Sequence, residues 1–166
     1  MVKESIKLII KAQKDQISEN MFWGNLARAL GLVNPDDLKN VWLQNFKKYS
    51  KLNKEVVTLI KKLNRKPYKV YLLSNTTKFY KNTSPYKKLL KDLFSVTVCS
   101  CDFKTRKPEK KFFDIVLSKL KINPKNCVFI DDQRNGLRYP KKLGMDTILF
   151  KSSKHLKSDL IRRNIL

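Results

Sequence analysis

A chain of 166 residues has room for one domain, or one domain with a small insertion, and 42% hydrophobic residues supply a core, which excludes wholesale disorder. No apolar run reaches the roughly 18–20 residues of a membrane span, and Ile6 to Ile10 is too short and too lysine-interrupted for a secretory signal, so a cytoplasmic location is expected. The net charge of +23 leaves two readings open: an electrostatic footprint for nucleic acid, or an evenly spread lysine excess from AT-rich coding that gives only salt-sensitive, nonspecific contact.

The first 66 residues read as helical. Ser18 can cap a helix whose apolar positions are Phe22, Trp23, Leu26, Ala29 and Leu30, with Gly31 as its stop. Asn34-Pro35-Asp36-Asp37 opens the next one: a capping amide, proline in the first turn, then acids at the positive end of the dipole. Leu38, Val41, Trp42, Leu43 and Phe46 are its expected buried face. Asn53 caps a third helix that turns Val56, Val57, Ile60 and Leu63 inward. From Tyr68 the period changes. Short apolar runs at 69–73, 95–99, 126–130 and 146–150 alternate with helical stretches near 84–93, 109–121, 134–143 and 153–163. That alternation implies a parallel sheet covered on both faces. Cys99, Cys101 and Cys127 form no disulfide framework and read as reduced thiols.

Parallel sheets bind ligands at the carboxyl ends of their strands, where polar residues converge on one rim. Here these are Ser74 and Asn75 after the first run, and Asp131 and Asp132 after the third. Lys107 at a loop-to-helix junction adds a fixed positive charge. Donors, a cation and hard carboxylate oxygens on one rim make a phosphate pocket of the kind Mg²⁺ serves.

Each element alone is common; their order and spacing are more specific. Val70-Tyr71-Leu72-Leu73-Ser74-Asn75, then Arg106-Lys107-Pro108, then Cys127-Val128-Phe129-Ile130-Asp131-Asp132 resemble motifs two, three and four of the haloacid dehalogenase-like (HAD) hydrolases. The resemblance runs upstream to Lys14-Asp15-Gln16-Ile17-Ser18 and the helices after it, which are similar to the small helical cap inserted between that family's motifs one and two. It implies an α/β fold: a Rossmann-like three-layer parallel sheet, with a partial helical cap over residues 1–52 and a core over 53–166. It also implies roles. Ser74 would hydrogen-bond the transferring phosphoryl group, Asn75 would position substrate or loop, and Lys107 would neutralise the phosphate. Asp132 would ligate Mg²⁺, with Asp131 as its close or water-mediated partner. Asn135 fits the following turn, and Gly136 departs from the acid or amide common there. Arg106 and Pro108 fit structural and catalytic roles equally.

The family's motif one, an Asp-x-Asp closing the opening strand, occurs nowhere in this chain. In the family its first aspartate attacks phosphorus and its second is the general acid and base. Reading Ile6 to Ile10 as that strand would put Ala12 and Lys14 in the acidic slots, with too few residues before Ser74 to hold the whole cap. The expectation is therefore a truncated Mg²⁺-dependent phosphatase for a small phosphorylated metabolite, inert as it stands and lacking its nucleophile strand. The alternative is a non-catalytic pseudoenzyme or basic nucleic-acid-binding protein. Trp23 and Trp42 are expected in the core rather than against substrate.

Overall fold

A computed structural model describes residues 2–166; Met1, the first residue of the expected cap, lies outside the described residues. The amino-terminal quarter is three helices, α1 (Val2–Gln13), α2 (Glu19–Ala29) and α3 (Pro35–Tyr49). Residues 6–10 thus lie within a helix, which closes the strand reading of that segment. The caps form where the side chains call for them. The Met21 N–H donates to Ser18 Oγ at 3.2 Å and the Asp36 N–H to Asn34 Oδ1 at 2.9 Å, each satisfying an otherwise orphaned helical donor. Ala12, Phe22 and Trp23 are the buried centre of this layer, with Leu38, Trp42 and Phe79 packed around them. Trp23 is 3% exposed, with its ring 5.8 Å from Trp42 and 5.4 Å from Phe79. Val41 corrects the expected inner face of α3: it is exposed, and no residue of that helix is fully buried. One layer of helices covers α3 on one side only, so its apolar stripe is wider than the surface available to it.

The α/β part follows. α4 (Lys54–Leu63) leads to β1 (Tyr71–Ser74), α5 (Lys78–Thr83), α6 (Lys87–Leu93) and β2 (Val96–Cys99). Then come α7 (Lys110–Leu120), β3 (Val128–Asp131), α8 (Arg138–Lys142), β4 (Asp146–Leu149) and α9 (Ser153–Arg162). The stretch read as one helix at 84–93 is α6 alone. α5 precedes it, opened by Thr77, whose Oγ1 accepts the Tyr80 N–H at 3.3 Å, and a Ser84-Pro85 break separates the two. The stretch at 134–143 begins as a 3₁₀ turn over Arg134–Leu137 before α8.

β1 pairs in parallel with β2, and β3 in parallel with β4, but the two pairs share no hydrogen bond. Helices hold them instead. On one face, Phe112 and Val116 of α7 pack with Val98 of β2, while Phe113 sets its ring edge-on to Phe129 of β3 at 5.4 Å. On the other face, Leu59 of α4 joins Leu156 and Leu160 of α9 against Ile148 of β4. The result is three layers with the sheet interrupted between β1 and β3.

Phe113 is 1% exposed and touches Phe112, Phe129 and Tyr139. Phe113→Ala is expected to cost about 3–5 kcal/mol, read as a lower urea midpoint at unchanged slope. Val41→Ser, on the open side of α3, should move it by less than about 0.5 kcal/mol.

Candidate active site

The carboxyl ends of β1 and β3 meet the loop before α7 in a polar cleft of about 200 Å³. Ser74, Asn75, Lys107, Pro108, Asp131, Asp132, Gln133 and Gly136 line it, together with Leu73. All five residues singled out as site residues, Ser74, Asn75, Lys107, Asp131 and Asp132, therefore share one rim. Ser74 and Asp131 are the last residues of their strands, which run one position beyond the apolar runs at 69–73 and 126–130.

The centre of the rim is an ion pair. Lys107 Nζ donates to Asp131 Oδ2 at 2.9 Å, with the two side chains 19% and 6% exposed. The same ammonium lies 5.8 Å from the centre of the Phe129 ring. Asp131 Oδ1 accepts the Gln133 N–H at 2.9 Å, which folds the chain sharply after β3. Gly136 is the residue that lets this carboxylate sit where it does. A Cβ there would fall 3.0 Å from Asp131 Cγ and Oδ1, closer than side-chain carbons ordinarily approach. The departure at Gly136 thus has a steric reason: the turn is packed onto the carboxylate and leaves no space for an acid or amide. Asp132 is exposed at the mouth of the cleft.

Asn75 acts on the loop rather than on open space. Its Nδ2 donates to the Lys107 carbonyl at 2.9 Å and its Oδ1 accepts the Lys107 N–H at 2.9 Å. Both polar ends of one amide thereby fix the backbone of the lysine. The Lys107-Pro108 peptide bond is cis. Arg106 turns its guanidinium partly inside, where burial lowers its pKa against the opposing pull of Glu109, and its Nε is buried without a hydrogen-bond partner among the described residues.

Sequence reasoning missed the polar groups that brace the rim from behind. Ser100, fully buried after β2, accepts the Thr76 N–H at 3.0 Å and brings its hydroxyl within 2.8 Å of the Gln13 carbonyl. Gln13 Nε2 reaches the Asn75 carbonyl at 3.3 Å. Lys14 Nζ binds Glu109 Oε1 at 3.0 Å, and the Thr105 hydroxyl donates to Glu109 Oε2 at 2.8 Å. Burial pushes the Glu109 carboxyl upward, but Thr105 and Lys14 outweigh it and leave the pKa below its usual value. The Gln13–Asn75, Ser100–Gln13 and Lys14–Glu109 contacts join residues 62 to 95 positions apart, so no local pattern announces them. Cys99 and Cys101 lie buried beside Ser100, and burial lifts the Cys101 thiol to about 11, so it stays protonated at neutral pH.

The donor set can be weighed against magnesium. Mg²⁺ commonly takes one or two carboxylates and completes its octahedron with water and phosphate oxygens. Asp131 and Asp132 meet that minimum. Among the described residues no three His, Cys, Asp or Glu side chains converge, so the remaining oxygens would come from outside this set.

Comparison with known proteins agrees with this geometry. A model of the haloacid dehalogenase-like hydrolases matches residues 7–144. Flavin mononucleotide hydrolase 1 of Arabidopsis thaliana is 29% identical over 102 residues, and a D-ribitol-5-phosphate phosphatase of Bacteroides thetaiotaomicron is 32% identical over 89. Those alignments take in 61% and 50% of this chain, but the chain spans only 41% and 43% of the two curated relatives. A crystal structure of a HAD family enzyme from B. thetaiotaomicron, an aspartate-to-alanine mutant with magnesium and inorganic phosphate, superposes with a TM-score of 0.76 at 26% identity. That superposition covers 93% of this chain and 83% of the other. With the rim, the parallel strands and the family model in agreement over most of its length, this chain belongs to the haloacid dehalogenase-like hydrolases.

Proposed function

We propose that the rim of Ser74, Asn75, Lys107, Asp131 and Asp132 is the phosphate-holding half of a phosphohydrolase site for a small phosphorylated metabolite. The observation that carries the reading is Lys107, a partly buried ammonium held at 2.9 Å from Asp131 and fixed by Asn75 at both backbone groups. A cation so constrained cannot retreat into solvent, and it stands ready to meet phosphate oxygens without reorganising. The Ser74 hydroxyl at the end of β1 is a second donor on the same rim. Asp131 and Asp132 would hold Mg²⁺, which supplies charge neutralisation on the phosphoryl oxygens when bound. Similarity to a flavin mononucleotide hydrolase and a ribitol phosphate phosphatase supports phosphate esters as the substrate class. Residues 1–52 form a partial cap over the 53–166 core in this reading, which also keeps the cytoplasmic location expected from the sequence.

We place these 166 residues, taken alone, as inert. Among the described residues no carboxylate other than Asp131 and Asp132 lines the polar cleft, and both stand at the carboxyl end of β3. Neither stands on a strand between β1 and β3, so among the described residues no carboxylate faces them as a nucleophile for a covalent step in this reading.

Isothermal titration with inorganic phosphate in the presence of Mg²⁺ is expected to give weak, saturable binding, with Lys107→Ala weaker by about tenfold or more. Unchanged binding in that variant would remove the basis of the phosphate reading. The unmodified chain is expected to hydrolyse neither flavin mononucleotide nor ribitol 5-phosphate; hydrolysis that Asp132→Ala abolishes would overturn the claim of inertness. Gly136→Ala forces a carbon onto the Asp131 carboxylate and is expected to weaken phosphate binding and to destabilise the fold by about 1–3 kcal/mol, checked by titration and thermal melting.

A further inference from the structure

The positive charge of this chain is concentrated. Residues 38–91 hold fifteen lysines and arginines against a single acid, Glu55, so about a third of the chain carries fourteen of its 23 net charges. The fold gathers part of that segment on one face. α4 and α6 lie side by side and point the same way. At their leading ends the Tyr86 hydroxyl donates to the Ser50 carbonyl at 2.5 Å, and at their trailing ends Asn64 Nδ2 donates to the Leu93 carbonyl at 2.8 Å. Leu59 and Leu93 turn inward and are buried. Lys54 and Lys61 of α4, two turns apart, and Lys87 and Lys91 of α6, one turn apart, therefore lie along outward stripes, and all four are exposed. Glu55 and Asp92 are the only acids on the two helices, and they stand at opposite ends of the pair. Among the described residues none of these four lysines enters an ion pair.

Tyr49 stands where this face begins. It is the last residue of α3, directly before the Ser50 carbonyl that Tyr86 holds, and it is 66% exposed. Lys48 Nζ lies 5.1 Å from the centre of its ring, and Lys47 and Lys51 beside it in the chain are exposed. We propose that the α4–α6 face, entered at Tyr49, binds single-stranded nucleic acid without regard to sequence, the tyrosine ring stacking one base and the lysines following the phosphates. A ring open to water with a cation at its side offers a base both a stacking surface and a neighbouring charge. Arg65 is the only arginine among the fifteen cations, so the bidentate fork that reads guanine edges is nearly absent, whereas lysine meets phosphate at any sequence. The strand is single because a base must be unpaired to lie on the ring. α4 spans ten residues, a length of about 15 Å that matches roughly four phosphates at about 3.4 Å along a stacked strand. Neither Tyr49 nor these lysines line the polar cleft, so the proposal stands apart from the phosphohydrolase reading.

The test is fluorescence anisotropy of the full chain with a labelled oligodeoxythymidylate of about twelve nucleotides at about 0.1 M salt. Saturable binding is expected, at least about fivefold weaker for Tyr49→Ala and unchanged for Tyr49→Phe, which keeps the ring. Tyr49 is exposed, so neither change should move the melting temperature. Lys87→Gln combined with Lys91→Gln should weaken binding and flatten the slope of log affinity against log salt by about 1.4. Lys141→Gln combined with Lys142→Gln removes the same charge from α8, on the α7 side of the sheet where Tyr139 packs on Phe113, and should change affinity by less than about twofold. Equal losses from the two lysine pairs would reduce the binding to net charge and overturn the proposed face. An affinity that Tyr49→Ala leaves intact would overturn the stacking, and so would heparin or duplex DNA, neither of which offers an unpaired base, losing as much affinity in that variant. Absence of saturable binding up to about 1 mM would sink the proposal outright.

Discussion

One helix holds together two sheets that share no hydrogen bond. α7 presents Phe112 and Val116 to β2 and Phe113 to β3, so successive positions on its buried stripe grip the two halves separately. The rim of the site is a consequence. Ser74 and Asn75 come from one half and Asp131 from the other, and they converge only because α7 fixes the distance between the halves. The loop entering α7 also carries Lys107, so the element that joins the sheets delivers the charge that joins their ends.

Much of this was legible from residues alone. Strand-and-helix alternation after Tyr68, the caps at Ser18, Asn34 and Asn53, and the convergence of polar residues on the strand ends all rest on local rules with short range. What escaped was decided at long range. Val41 looks inward by periodicity, yet it is exposed at the margin of the stripe whose Leu38 and Trp42 pack against α2. α5 is six residues opened by a threonine, too short to leave a periodic signal. Ser100 and Gln13 carry no motif; their importance comes from burial and from partners 87 residues apart in the chain. Gly136 reads in sequence as a departure from the acid or amide common there, and in the structure it leaves space for the carboxylate it touches.

The electrostatic setting of the rim is unusual for so basic a chain. With a net charge of +23, most lysines spread over the surface and interact weakly through water. Lys107 differs because low exposure and a carboxylate at hydrogen-bond distance confine its field to one cleft. The general positive potential then favours any anion approaching the rim, while the fixed ammonium selects where it stops.

The contacts around Asn75 are graded in length, and the grading has a mechanical meaning. Its side chain grips Lys107 with two bonds of 2.9 Å, whereas its carbonyl meets Gln13 of α1 at 3.3 Å. Hydrogen bonds weaken with distance, so the link to α1 is the softer one. It behaves as a fuse between the helical layer and the rim. A tilt of α1 would strain that contact before either of the two bonds that seat the lysine.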